Sequence, residues 1–97
     1  MVVLTAYVSL KPEKIAQALE HCVTVRGHSV EEPGCERYDF FYSPDDATRV
    51  VFVEEWTSKA HLDTHFEQKA FQEFFAAMGE CMQSAPEIRI FEASLQA

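Results

Sequence analysis

The chain of 97 residues contains little glycine, little cysteine and few basic side chains. Its three glycines, Gly27, Gly34 and Gly79, lie far apart, so no glycine-rich loop can cradle the phosphates of a nucleotide cofactor. Its three cysteines are an odd number without a C-x-x-C pair, which argues against the disulfide framework of a secreted protein. Only 8 basic residues oppose 16 acidic ones, and the net charge of -8 would repel nucleic acid and anionic membrane surfaces.

Long apolar runs are also absent. No segment approaches the ~18 apolar residues that a membrane-spanning helix needs. The segment Met1–Leu4 has neither the basic region nor the cleavage site of a signal peptide, and it is predicted to be a strand. These absences and the free thiols predict a cytoplasmic protein. A composition of 47% hydrophobic and 25% charged residues is typical of a globular protein, and the length predicts one domain over residues 1–97.

Two hydrophobic periodicities alternate along the chain. Leu4, Ala6, Val8 and Leu10 recur at every second position, as in a strand, and helical spacing follows from Pro12 to a turn at residues 31–34. Turn residues at 43–46 join two further strands into a hairpin. The predicted elements are therefore a strand at 4–10, a helix from 12, strands at 35–43 and 49–56, a helical region at 58–82 broken near 67–68, and a strand at 87–92.

This order of elements predicts the α+β, ferredoxin-like βαββαβ fold, whose antiparallel sheet carries its helices on one face. The third strand, however, is apolar on both faces, with Phe52 and Trp56 on one and Val51 and Val53 on the other. Two helices cannot cover both faces of the sheet. The simplest cover is a second copy packed sheet against sheet, which predicts a homodimer; the alternative is a lone sheet with a partly wet aromatic face.

Two polar residues interrupt the apolar pattern. His65 lies near the predicted helix break beside an aromatic stripe, where a neutral imidazole could act as a general base or could instead fix the break structurally. Glu54 shares a strand face with Trp56, so it is predicted to be an acid/base group, an anchor for a substrate hydroxyl, or the partner of Arg37 or Arg89 in an ion pair.

Aromatic side chains are the candidates for a flat hydrophobic pocket, with ordinary core packing as the alternative. His61 and His65 are four residues apart, a possible metal-ligand spacing, but Leu62 replaces the Glu of zinc proteases and no third ligand is evident. No metal site is therefore predicted. The candidate pocket residues are Trp56, Tyr7, Tyr38, Phe71 and Phe75.

Two segments carry a family resemblance. One reads Glu32-Pro33-Gly34-Cys35 with Tyr38 three residues later; the other is Glu54-x-Trp56 with Ser58 and then His65, followed by a helix with Phe71 and Phe74. They resemble the E-P-G-C-x-x-Y and E-x-W-x-S…H stretches of the antibiotic biosynthesis monooxygenase family, and the resemblance spans nearly the whole chain.

The resemblance implies a dimeric α/β barrel in which two ferredoxin-like sheets pack face to face. It also implies a monooxygenase that combines a small quinol or polycyclic phenol with dioxygen and uses no flavin, haem or metal. By the same resemblance, His65 is the base or hydrogen-bonding group, and Trp56 with Glu54 shapes the cavity.

Other branches of this fold provide alternatives. Haem-degrading relatives are disfavoured because Phe75, His65 and Tyr7 occupy the positions of their haem-ligating His, second Trp and early Asn. A non-catalytic dimeric module that binds an aromatic ligand is a further alternative. An isomerase of a small phosphorylated signal molecule keeps a His at position 65, but it requires basic residues in the pocket, for which the candidates are Arg37, Arg49 and Arg89.

Overall fold

The structure is a computed structural model that describes residues 1–97, and it consists of a four-stranded antiparallel sheet and three α-helices. The sheet has the order β2-β3-β1-β4, so the β2–β3 hairpin inserts β3 between β1 and β2. The predicted ferredoxin-like α+β fold is thereby confirmed. The elements are β1 (Val2–Ser9), α1 (Ile15–Ser29), β2 (Cys35–Ser43), β3 (Asp46–Trp56), α2 (Lys59–Glu67), α3 (Lys69–Met78) and β4 (Glu87–Glu92).

The element boundaries follow local chemistry. The predicted helix break is confirmed, since Gln68 has an extended backbone between α2 and α3. The first helix begins with a 3-10 turn at Pro12–Lys14 before α1. The prediction that helix continues to residue 82 is wrong, because the backbone at Met82 bridges to Leu10 at the end of β1.

The main core lies between the helices and one face of the sheet. From β3 it receives alternate residues, among them Phe52 and Trp56, and from α1 the stripe Ala18, Cys22 and Val25. Val23 of the same helix is 62% exposed, because it lies one residue (about 100°) around the helix from Cys22. The core therefore fixes the helices on one side of the sheet.

The opposite face of the sheet, here called the outer face, carries apolar side chains together with charged ones such as Arg37 and Glu55. Along one row of the sheet, Tyr7 pairs with Val51, which pairs with Phe41. Phe41 is 56% exposed and Phe91 is also exposed. The two-sided apolar pattern of the strands is confirmed, and the chain's helices lie over the other face. None of these helices combines the length and apolar character that a membrane crossing requires.

Candidate active site

A narrow apolar cleft of about 50 Å³ lies between the helix-covered face of the sheet and α3. The even-numbered positions of β1 form its floor, and the aromatic side of α3 forms a wall with Phe71, Phe74 and Phe75. Of the 14 residues around the cleft 12 are hydrophobic, and Glu54 is the only acidic or basic side chain among them. Any acid–base chemistry at the surface of the cleft therefore depends first on this carboxyl group.

Glu54 is buried in the middle of β3, with only 4% of its surface exposed. Its Oε1 atom accepts a hydrogen bond from the indole Nε1 of Trp56 at 3.0 Å, and Tyr38 is its partner across the strands. Burial raises the pKa of Glu54 to about 7, although the bond from Trp56 favours the charged form; the nearby charge of Glu32 raises it further. A carboxyl group with this pKa can accept or donate a proton near neutral pH.

The predicted ion pair of Glu54 with Arg37 or Arg89 is wrong. Arg37 pairs with Glu55 at 3.2 Å, and the guanidinium of Arg89 lies 5.3 Å from the centre of the Phe91 ring. Both arginines belong to strand positions on the outer face, because alternate side chains of a strand point to opposite faces. Glu54 thus contacts an indole rather than a cation, so no cation offsets the burial that raises its pKa.

His65 is fully buried in the last turn of α2. Its ring is enclosed by four aromatic rings whose centres lie 4.8 to 5.7 Å away, those of Trp56, Phe71, Tyr38 and Phe66. Three of these rings also line the cleft, so a single layer of side chains separates the imidazole from it. Burial lowers the pKa of His65, against the opposing influence of Glu32, and the ring is therefore neutral at neutral pH.

Glu32 also belongs to the site. In the sequence, only its position in the turn at residues 31–34 distinguishes it from other acidic residues. Its Oε1 atom lies 3.0 Å from His65 Nδ1, and its Oε2 atom lies 3.3 Å from Nδ1 of His28. The E-P-G-C motif contained the one available signal. Turn geometry explains Pro33 and Gly34 in that motif, but it does not explain an acidic residue before them.

Gly34 is required by the geometry of this turn. Its φ of +83° is one that other residues rarely adopt, and a Cβ atom there would overlap the imidazole of His61. The Gly34 carbonyl accepts a hydrogen bond from Thr57 N at 2.9 Å, which ties the turn to the start of α2. His61 is therefore a packing residue on this turn. Its Nδ1 atom lies 2.8 Å from Ser58 Oγ.

The structure brings together six of the seven predicted site residues. Glu54, Tyr38, Phe71 and Phe75 line the cleft, and Trp56 and His65 lie directly behind its wall. The placement of Tyr7 in this pocket is wrong. It occupies an odd position of β1, on the outer face, and is 47% exposed. Phe52, Phe66, Phe74 and Met78 are among the lining residues of the cleft that were not predicted for the pocket.

The arginines of the isomerase alternative do not reach the cleft. Arg37 and Arg89 are held on the outer face, and Arg49 is also absent from the lining of the cleft. A phosphorylated ligand would find no cation at this apolar surface, and burial of an unpaired phosphate is costly. The geometry therefore favours an uncharged aromatic ligand.

Comparison with known proteins agrees with this geometry. The chain is 36% identical over 86 residues to the Bacillus subtilis protein named "Putative monooxygenase YcnE", covering 89% of this chain and 90% of that protein. It is 29% identical over 91 residues to "Uncharacterized protein sll1783" of Synechocystis, covering 94% of this chain but only 62% of that protein.

A solved structure shows the same fold. The "Putative antibiotic biosynthesis monooxygenase from Nitrosomonas europaea" superimposes with a TM-score of 0.93 and 26% identity, covering 96% of this chain and 98% of that one. The family model described as "Antibiotic biosynthesis monooxygenase" matches residues 1–77. The chain therefore belongs to the antibiotic biosynthesis monooxygenase family.

Proposed function

We propose that the protein is a cofactor-independent monooxygenase that acts on a small quinol or phenol in the cleft beneath α3. The observation that carries this proposal is Glu54, a buried carboxyl group with a pKa of about 7 at the surface of an otherwise aromatic cleft. The aromatic lining suits a flat phenolic ring, and membership of the monooxygenase family supports the class of reaction.

The proposed reaction begins with removal of the phenol proton by the Glu54 carboxylate. The phenolate is electron-rich and reduces dioxygen directly, so no external reductant is needed. One oxygen atom enters the ring, which is oxidised by four electrons to a quinone, and the other leaves as water with two hydrogens from the substrate. A dry cleft supports this sequence because it protects reactive oxygen intermediates from bulk water.

His65 is proposed as the second ionisable group of the site, either as a base or as a hydrogen-bonding group. The cleft of about 50 Å³ is smaller than the ~150 Å³ cavity that admits benzene in a well-studied protein. Substrate entry therefore requires outward movement of wall side chains such as Phe71 and the exposed Phe75. Displacement of Phe71 would also uncover the imidazole, whose ring centre lies 5.0 Å from that of Phe71.

We also propose that the protein is a homodimer in which each protomer is one chain that forms a single domain. The outer face exposes Tyr7 and Phe41 on either side of Val51, and Phe91 opposite Val3; a second copy packed on this face would remove these side chains from water. Two sheets that pack in this way produce the dimeric α/β barrel implied by the family resemblance.

The test is oxygen uptake by metal-stripped protein with a panel of quinols and hydroxylated naphthalenes. We expect uptake that survives chelator and falls ~10²–10⁴-fold in Glu54→Gln, the range that general-base catalysis contributes. Glu55→Gln is the matched control, because it removes the neighbouring carboxylate on the outer face and should retain activity. His65→Ala tests the second group.

Four outcomes would count against the proposal. Uptake no faster than autoxidation of the substrates would contradict oxygenation, and uptake that Glu54→Gln leaves unchanged would contradict the assigned base. Conversion without oxygen consumption would indicate the isomerase, and binding without conversion would indicate the ligand-binding module.

A further inference from the structure

A row of three ionisable side chains leads from the buried site to the surface. His65 Nδ1 lies 3.0 Å from Glu32 Oε1, and Glu32 Oε2 lies 3.3 Å from His28 Nδ1. Exposure of the side chains increases along the row, from 0% for His65 through 9% for Glu32 to 51% for His28. The row is therefore continuous in hydrogen bonds and ends in water.

Glu32 determines which nitrogen of His65 carries the proton. A carboxylate can only accept hydrogen bonds, so it binds the Nδ1–H form of the neutral ring and leaves a lone pair on Nε2. That Nε2 atom is buried and has no hydrogen-bond partner in the protein. An unsatisfied buried polar atom is costly, and its presence one side chain behind the cleft points to a use for the free lone pair.

We propose that His28, Glu32 and His65 form a proton relay between the buried site and solvent, with Glu32 as the positioning residue that holds His65 in its Nδ1–H form. A proton that binds Nε2 turns the ring into an imidazolium, whose Nδ1 proton passes to Glu32. Rotation of the carboxyl group then presents this proton to the Nδ1 lone pair of His28 in its Nε2–H form, and the resulting imidazolium releases its Nε2 proton to water. Each transfer moves one proton. The carboxyl group alternates between carboxylate and carboxylic acid, and each imidazole alternates between its neutral and its protonated form.

The same relay runs in reverse. His65 returns the proton on Nε2 to the site when reduced oxygen is protonated, and Nδ1 is reloaded from solvent through His28 and Glu32. Conversion of a phenol and dioxygen to a quinone and water releases no net proton, so one outward and one inward passage balance. This role in turnover rests on the proposed function, whereas the relay itself is a property of the resting protein.

Other ionisable groups pack around the relay and influence the charge that it carries. Burial and the charge of His28 lower the pKa of His65, while Glu32 raises it. The ring is thus neutral at neutral pH and ready to accept a proton. Cys35 and Tyr38 on β2 and Glu54 on β3 also interact electrostatically with Glu32.

The experiment measures exchange of the His65 ring proton with water by NMR of ¹⁵N-histidine-labelled protein. We expect one Nδ1–H form in the wild type, and we expect exchange to be slower in His28→Gln and in Glu32→Gln, because each substitution removes one member of the relay. Matched controls are His21→Gln, another histidine of α1, and Glu31→Gln, the neighbouring exposed carboxylate. Both should exchange at the wild-type rate.

Backbone amide exchange within α2 serves as an internal reference for local unfolding, and it should be the same in all variants. An Nε2–H ring in the wild type, or unchanged exchange in His28→Gln, would overturn the relay. His28 is a surface residue, so this variant keeps the test valid even where Glu32→Gln disturbs folding. Slow exchange in both variants without oxygen uptake would leave the relay intact and reject the proposed function instead.

Discussion

Two neighbouring glutamates of β3 have different environments because their side chains lie on opposite faces of the sheet. Glu54 points towards the helices, is buried beside Trp56 and has a pKa of about 7. Glu55 is the next residue of the same strand, points to the outer face and pairs with Arg37 at 3.2 Å. The chemical groups are identical, so the difference comes entirely from the side of the sheet. Burial without a cation raises the pKa of Glu54 to about 7. The ion pair of Glu55 with Arg37 is open to solvent, and it contributes at most a small stabilisation.

The largest expected effect concerns Glu54→Gln and the free energy of unfolding. The folded-state pKa of Glu54 is raised from 4.5 to about 7, so charging it favours the unfolded chain. This group therefore destabilises the fold progressively as the pH rises from about 4.5 to 7. At pH 8 the cost is roughly 3 kcal/mol at 1.36 kcal/mol per pKa unit, and Glu54→Gln should recover most of it. Urea denaturation at pH 5 and pH 8 measures the effect.

Glu55→Gln is again the control, and it should change stability by less than about 1 kcal/mol at either pH because it removes only a surface ion pair. A Glu54→Gln protein with the same pH dependence of unfolding as the wild type would show that the two faces do not differ as described. If the Glu54 carboxylate is the base, as proposed, the same pKa predicts that kcat/KM rises with pH through about 7 in the wild type.

The second expected effect concerns the outer face and its partner copy. Phe41→Glu places a charge on the exposed apolar row beside Val51 without touching the core of the chain. If this row is the centre of a dimer interface, the substitution should weaken dimerisation by about 2 kcal/mol or more, as for an interface hot spot. Sedimentation velocity over a range of concentrations measures the change.

Val23→Glu is the matched control for this variant, because Val23 is equally apolar and exposed but lies on α1 rather than on the outer face. Both variants should keep the circular dichroism of the folded chain. A monomeric wild type, or a dimer that Phe41→Glu leaves intact, would refute the proposed role of the outer face.

The smallest expected effect concerns the turn that places Glu32 beside His65. Gly34→Ala forces a side chain into a φ of +83° and against His61, which should cost about 1–3 kcal/mol of stability. Gly27→Ala is the opposite case, since Gly27 lies within α1 with no atom within 4 Å of the added Cβ, and it should stabilise by about 0.5–1 kcal/mol. Thermal unfolding of both variants measures the difference, and equal melting temperatures would contradict the strain at Gly34.

Patterns of neighbouring residues predicted much of the fold. The alternation in β1 and β3 indicated two apolar faces, and the polar residues at 43–46 indicated the hairpin. These inferences succeed because a strand has a period of two and a turn needs particular residues, so the information is local. The same alternation shows Tyr7 on the face opposite Leu4 and Ala6, although the choice of pocket residues by aromatic character alone placed it in the cleft.

The site was less predictable. His65 and Glu54 stand out as polar residues in apolar surroundings, but 33 positions separate Glu32 from His65 and no periodic pattern joins them. The partner of Glu54 was also misassigned, because an indole two residues away on the same strand face competes with arginines on the opposite face. Packing between elements decides which polar groups come into contact, and no single segment of the sequence encodes that packing.

The order of the elements, the two faces of each strand, the turn at Gly34 and the family were therefore available from the 97 residues alone, because each depends on short-range chemistry or a short motif. The tertiary structure was needed for the raised pKa of Glu54, the position of His65 one side chain behind the cleft, and the row from His65 through Glu32 to His28. These properties depend on burial and on distances between residues remote in the chain. Both quantities exist only once the helices have closed over one face of the sheet.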